Sequence, residues 1–187
     1  MNAEARRLQI LEAGHALFLE QGFMVTTIEE IAKRVKIART TVYEYFNSKD
    51  DILMALIEQV ILEHPKDLPE GDTKSKLVYL IQSSLDQFQE HKIIYRIYFE
   101  EFFVLEQRTA AYFRNWQNHK QAQVYEIIRQ GIASDCFSRK WGYMDIGFAY
   151  QALLEYKMRN LLRTGQVVDT GYEAIYMADL LWLGIGK

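Results

Sequence analysis

Proline occurs only twice in the 187-residue sequence, at Pro65 and Pro69, so every residue before and after this short segment is free of proline. A proline inside a helix removes a backbone donor and clashes with the preceding turn, so this distribution leaves helix open along nearly the whole chain. The apolar spacing uses that freedom. Ile10, Leu11, Gly14, Leu17 and Phe18 recur at helical intervals, and Gly22 follows as a residue suited to the left-handed stop after a helix. Thr27 with Glu30 three residues later has the form of a capping box, opening a short helix with Ile28, Ile31, Ala32 and Val35 on one face. After the turn "KIA" a second short helix carries Thr40 to Phe46, with Val42 and Phe46 inward. Ser48 then caps a longer helix, aided by Asp50 and Asp51 in its first turn and buried through Ile52, Leu53, Leu56, Ile57 and Val60.

"EHPKDLPEGDT" gathers both prolines, a glycine and several charges, and reads as the linker between two parts of the chain. Beyond it the spacing predicts helices over 73–90, 92–105, 109–132, 144–163 and 172–183, separated by the loops "GIASDCFSRKWGY" and "RTGQVVDTG". The expected architecture is all-α: residues 1–47 form a small three-helix domain, 48–64 a connecting helix, and 65–187 a larger helical domain. Cys136 is the single cysteine, so no disulfide framework exists, and a reducing, cytoplasmic setting is expected. The start "MNAEARRLQI" lacks the apolar core of a signal peptide, and no run of eighteen apolar residues suggests a membrane span.

The first domain has the form of a helix-turn-helix, whose second helix enters the major groove of duplex DNA. Between residues 33 and 49, five basic residues (Lys33, Arg34, Lys36, Arg39 and Lys49) face one acid, Glu44, although the chain as a whole carries a formal charge of −3. A phosphate backbone responds to that local field rather than to the total. Arg39 suits guanine, Thr40 and Thr41 suit a thymine methyl or a phosphate, and Tyr43 and Tyr45 suit phosphate oxygens. Lys49, at a helix start, also suits a phosphate.

The ordered run "ILEAGHALFLEQGFMVTTIEEIAKRVKIARTTVYEYFNSKDDIL" resembles the TetR family of transcriptional regulators, over Arg7 to about Ile57. The resemblance implies a DNA-binding face made of Thr27, Lys36, Arg39, Thr40, Thr41, Tyr43, Tyr45 and Lys49. Within it, Thr27 caps a helix and touches phosphate, Arg39, Thr40 and Tyr43 face the operator, and Tyr45 and Lys49 hold the DNA backbone. Three positions depart from the family pattern. Lys36 stands where a turn glycine is usual, and holding a left-handed turn there costs roughly 1 kcal/mol. Ala38 replaces the usual serine cap, losing about 1 kcal/mol more. Glu44 stands where an aromatic or a histidine is common.

One recognition helix binds weakly, and two spaced by about one DNA turn, roughly 34–36 Å, read a palindrome. A homodimer is therefore expected, paired through the Met144–Arg163 and Tyr172–Leu183 helices. Its stripes would be Ile146, Tyr150, Leu153, Leu154 and Leu161 on one helix, and Ile175, Tyr176, Leu180, Trp182 and Leu183 on the other. The other helices would surround a small-molecule effector. Ile94, Ile97, Tyr98, Glu101 and Leu105 share a helical face, with Phe102 beside it, and an acid among aromatics suits a cationic or hydrogen-bonding lipophilic ligand. Arg96 and Glu100 are spaced to pair on the outer face, as are Glu155 and Arg159. Tyr112, Trp116, His119 and Gln123 on the next helix, with Tyr150, would complete the effector site.

The expected activity is that of a ligand-released regulator, a repressor by the resemblance. The rival is an all-α small-molecule-binding or interaction module that does not use DNA. Catalysis is not indicated: the four histidines are scattered, and no metal-ligand spacing, nucleophile motif or glycine-rich phosphate loop is present. No cofactor, metal or membrane partner is expected.

Overall fold

The computed structural model describes residues 3–63, 67–137 and 140–185. All regular elements among them are helical: α1 (Ala3–Gln21), α2 (Ile28–Val35), α3 (Arg39–Tyr43), α4 (Lys49–Glu63), α5 (Thr73–Glu90), α6 (Lys92–Arg96), α7 (Gln107–Ala133), α8 (Tyr143–Thr164) and α9 (Thr170–Ile185). Of the linker prolines, Pro65 lies outside the described residues. Packing divides the chain into an N-terminal unit, Met1–Glu63 with His91–Asn115, and a C-terminal unit, His64–Glu90 with Trp116–Lys187.

In the N-terminal unit, α1 supplies Ile10, Leu11, Leu17 and Phe18 to a core shared with Ile31 of α2, Val42 of α3, and Ile52, Leu53 and Ile57 of α4. Gly14 permits the closest approach: a β-carbon there would lie 2.7 Å from Ile52 Cγ2. The helix starts follow local chemistry. Thr27 Oγ1 accepts from the Glu30 amide while the Glu30 carboxylate accepts from the Thr27 amide, a complete capping box. Ser48 Oγ accepts from the Asp51 amide at the start of α4.

The predicted helix over 92–105 is α-helical only through Arg96. A π-helical turn occupies Ile97–Glu101, and a 3-10 turn follows over Phe102–Val104. A π turn adds a residue to the helical count, so the face drawn from Ile94 to Leu105 does not hold past Ile97. Arg96 is not turned outward toward Glu100. Its guanidinium donates to the Phe18 carbonyl (2.7 Å), and Glu101 accepts from the Met24 amide (2.8 Å) and the Phe23 amide (3.4 Å). The segment is thereby pinned to the end of α1 and the loop after it.

In the C-terminal unit, α5 packs against both α8 and α9. Lys74 pairs with Asp179 at 2.6 Å, Thr170 donates to Asp86 at 2.6 Å, and Lys157 pairs with Glu173 at 2.7 Å. Helices α7 and α8 cross at Gly147, where a β-carbon would fall 2.1 Å from the Tyr125 ring. The predicted α8 stripe turns inward: Ile146, Tyr150, Leu154 and Leu161 are buried in the unit's own core and Leu153 is half-buried. The opposite face of α8 is the exposed one, with Met144, Phe148 and Tyr156 in solvent. On α9 the predicted Ile175, Tyr176, Leu180 and Leu183 are exposed, whereas Trp182 packs on Phe137 at 5.2 Å between ring centroids. Glu155 accepts from Gln151, one turn before it, at 2.8 Å.

Candidate nucleic-acid interface and interior polar cluster

The turn between α2 and α3 is built by Lys36, which adopts φ 59° and ψ 47°. The Lys36 amide donates to the Lys33 carbonyl and the Ile37 amide to the Ala32 carbonyl, so the end of α2 closes as a Schellman motif. That closure compensates a left-handed lysine where glycine would be unstrained. Ala38 stands in extended backbone before α3 and offers no side-chain cap. Helix α3 is anchored through Val42, fully buried, and the following residues through Phe46.

Thr27, Lys36, Arg39, Thr40, Tyr43 and Glu44 are exposed; Thr41 and Tyr45 are half-buried. Arg39 is not a loose cation. Its guanidinium donates to the Tyr43 hydroxyl through Nε (3.2 Å) and Nη2 (2.7 Å), lies 5.2 Å above the Tyr43 ring, and pairs with Glu29 of α2. These contacts raise its already high pKa, first through the Tyr43 hydrogen bond and then through Glu29. Arg39 and Tyr43 thus form one polar unit on the exposed side of α3.

Lys49 differs from the expectation drawn at its position. Its ammonium donates to the carbonyls of Phe23 (2.7 Å), Met24 (2.8 Å) and Thr26 (3.1 Å) and lies 4.6 Å from the Phe23 ring centroid. An ammonium has three protons, and here all three have acceptors. Burial lowers its pKa against the opposing pull of Asp50, Glu101 and Glu30. Glu101 holds amides of the same loop whose carbonyls Lys49 holds, so a pair of opposite charges grips residues 23–26 from both sides of the peptide. The acid that looked like part of an effector wall is a loop clamp.

The other effector candidates divide between the units. Tyr98, Phe102 and Tyr112 belong to the N-terminal unit, where Tyr98, Phe102 and Phe113 form a ring cluster with centroids 5.5 to 6.4 Å apart. Trp116, His119, Gln123 and Tyr150 belong to the C-terminal unit. Trp116 and Tyr150 are buried, Gln123 is half-buried and His119 is exposed. The inward stripe of α7 in this unit runs Trp116, Lys120, Val124, Ile127 and Gly131, at intervals of three or four. It includes Lys120, which sequence reasoning passed over in favour of its neighbour His119. Lys120 Nζ lies 5.2 Å from the Trp116 ring centroid, and burial pushes its pKa down to about 8. The buried polar groups of the same unit include Ser84 and Gln87 of α5 and Tyr150 of α8. Tyr150 is hydrogen-bonded to Ser84, and burial raises its hydroxyl far above the usual phenol range despite that bond.

Two short helices in a capped, tightly turned pair, with a polar second helix facing out on a scaffold of longer helices, define a helix-turn-helix protein of the DNA-binding class. Residues 10–56 match the family described as bacterial regulatory proteins, tetR family. The likeness to that family is carried by this N-terminal segment. It is 41% identical over 66 residues to the HTH-type transcriptional regulator HbdR of Aromatoleum sp. (strain CIB), a match covering 35% of this chain and 29% of that protein. The chain thus spans between about a third and a half of the length of the curated relatives it matches first. Its fold resembles a putative transcriptional regulator from Saccharomonospora viridis in complex with choline (TM-score 0.79, 20% identity, all of both chains). It also resembles the regulator FadR from Bacillus subtilis in complex with stearoyl-CoA (TM-score 0.72, 18% identity, 93% of this chain and 96% of that one).

Proposed function

We propose that the protein is a ligand-responsive transcriptional regulator, a repressor, that binds palindromic operator DNA as a homodimer and acts in the cytoplasm. The observation that carries this reading is α3 itself. Its Val42 is buried, while Arg39, Thr40 and Tyr43 stand exposed beside Lys36. Released from Glu29, the Arg39 guanidinium beside Tyr43 is suited to a guanine edge or a phosphate. Thr27, Thr41 and Tyr45 flank it at positions suited to the DNA backbone.

Dimerisation is assigned to the outward faces of α8 and α9. Phe148 and Tyr156 of α8 and Tyr172, Ile175, Tyr176 and Leu183 of α9 are each exposed in the C-terminal unit, and exposed apolar residues on two helices that pack together suit a partner-binding face. The effector enters the interior of the same unit, among Trp116, Gln123 and Tyr150. Regulation follows from linkage: a ligand that prefers the conformer unable to span two half-sites lowers operator affinity by its differential affinity for the two conformers.

The experiment is selection from random duplexes, followed by fluorescence-anisotropy titration of the enriched sequence at several salt concentrations. A two-fold symmetric site and a steep fall of affinity with salt are expected. Absence of any enriched sequence, or a flat salt response, refutes DNA binding and leaves the rival reading of a small-molecule-binding module.

A further inference from the structure

Helix α3 has five residues, too few to hold a helical conformation by themselves, since isolated helices shorter than about 12 residues are marginal in water. Its start has no side-chain cap at Ala38. Its placement is therefore set by what holds the chain around it. Val42 and Phe46 are buried, and the chain then turns into α4 through Asn47 and Ser48. One side chain closes that turn. Asp51 Oδ2 accepts from both the backbone amide and the side-chain amide of Asn47, each at 3.0 Å. In return the Asp51 amide donates to Ser48 Oγ at 3.2 Å. This is a capping box displaced by one residue, because the acid reaches the residue before the cap rather than the cap itself.

The other oxygen of the same carboxylate faces a different helix. Asp51 Oδ1 pairs with Arg108 Nη1 at 3.3 Å. Beside it, Asp50 accepts from the Glu106 amide through Oδ1, also at 3.3 Å. Two consecutive acids in the first turn of α4 thus hold the start of α7, and all of these residues belong to the N-terminal unit. Burial separates their roles. Asp50 is 6% exposed and grips backbone, so it docks α7 whatever Arg108 does. The Arg108 side chain is 74% exposed, and an ion pair so open to water contributes little to stability. What it changes is direction: it draws one oxygen of Asp51 towards α7 and leaves the other on Asn47. We infer that Arg108 is a positioning residue for operator binding, which acts through Asp51 to fix the turn after α3 and makes the first turn of α7 an input to the reading head. This inference rests on the DNA-binding reading above. Helix α7 continues unbroken to Ala133, so turning it about its axis swings the long Arg108 side chain off Asp51.

The test titrates the full chain onto the duplex enriched by selection, and onto an unrelated duplex of equal length, across a salt series, with thermal melting alongside. Arg108→Met is expected to weaken binding to the enriched duplex about fivefold, the scale of a well-placed exposed ion pair. Binding to the unrelated duplex, the salt slope and Tm should stay as in the wild type. Arg108→Lys should recover most of the loss, because the contact with Asp51 is through a single nitrogen. In an Asp51→Asn background, Arg108→Met should have no further effect, since the two side chains act as a unit. Should Asp51→Asn fail to melt cooperatively, recovery in Arg108→Lys decides in its place. Unchanged affinity of Arg108→Met for the enriched duplex overturns the inference alone. So does an equal loss on both duplexes with the salt slope reduced by about 0.9, which would make Arg108 a direct phosphate contact. A loss that tracks a lower Tm, or one that persists undiminished in the Asp51→Asn background, overturns it as well. Failure of the wild-type chain to prefer any duplex overturns the DNA-binding reading and the inference with it.

Discussion

Replacing Lys49 by methionine separates two roles that one lysine at this position could serve. The structure places its ammonium on the carbonyls of Phe23, Met24 and Thr26. A charge-assisted bond contributes about 1.5–3 kcal/mol, but three such values cannot be added here. Burial lowers the Lys49 pKa, so the ammonium recovers less from its partners than it loses in water. What the substitution leaves behind decides the cost. Phe23 and Thr26 are buried, whereas Met24 is exposed and its carbonyl can be hydrated. Two buried acceptors losing their donor, set against the relief of a desolvated charge, amount to about 2 kcal/mol. For a chain of this size that lowers Tm by roughly 4–8 °C. Operator affinity should fall as the loop before α2 loosens, but the dependence of log K on log salt should keep its slope, because no phosphate contact is lost. Calorimetric melting and anisotropy titration between 50 and 300 mM salt measure both quantities. A slope reduced by about 0.9 with an unchanged Tm would mean that Lys49 swings out to neutralise a phosphate, and the internal assignment would be wrong.

The remaining expectations are briefer. Lys36→Gly relieves a left-handed side chain and should raise stability by about 1 kcal/mol, while reducing the salt slope of operator binding by about 0.9 if Lys36 meets a phosphate; chemical denaturation and the same titration check it. Glu29→Gln frees Arg39 from its ion pair and should tighten DNA binding several-fold at low salt, with the gain shrinking as salt rises; no change in affinity would show that Arg39 does not reach DNA. If the proposed dimer forms, Phe148→Glu combined with Tyr176→Glu should convert it into a monomer by sedimentation, without loss of helical circular dichroism. For Lys120 the folded pKa is about 8 against an ordinary 10.5, so the unfolded chain binds more protons between those values and stability rises with pH across that window. Compared with Lys120→Met, the wild-type protein should gain on the order of 3 kcal/mol between pH 7 and pH 10.5 in urea melts; parallel curves would place the ammonium in water.

What was legible in the sequence was chemistry that acts over a few residues. The capping box of Thr27 and Glu30, the left-handed turn at Lys36, the Ser48 cap and the buried Val42 are each decided within one helical turn. What was illegible depends on which of two plausible faces meets the rest of the molecule. Helix α8 is apolar on both sides, Ile146, Tyr150 and Leu154 on one and Met144, Phe148 and Tyr156 on the other. Periodicity alone cannot say which side the monomer buries. On α7 the face drawn through Tyr112, Trp116, His119 and Gln123 is about 100° from the inward stripe at its later positions, an offset of one residue.

The π turn at Ile97–Glu101 had no local signal either, since neither proline nor glycine falls within it. Its cause is tertiary. Arg96 must reach the Phe18 carbonyl at the end of α1, and Glu101, five residues on, must reach the amides of Phe23 and Met24. In an unbroken α-helix, residues five apart point about 140° away from each other. Widening one turn by a residue lets both side chains address the same short stretch of chain. The segment that grips the loop before α2 is thus also the segment whose helical hydrogen bonding is least regular. A shift of the π turn along the helix would release Glu101 from that loop while Lys49 still held its carbonyls. Glu101→Gln, which keeps the shape and removes the charge, therefore bears on how firmly α2 and α3 are presented to DNA without touching any residue that reads it.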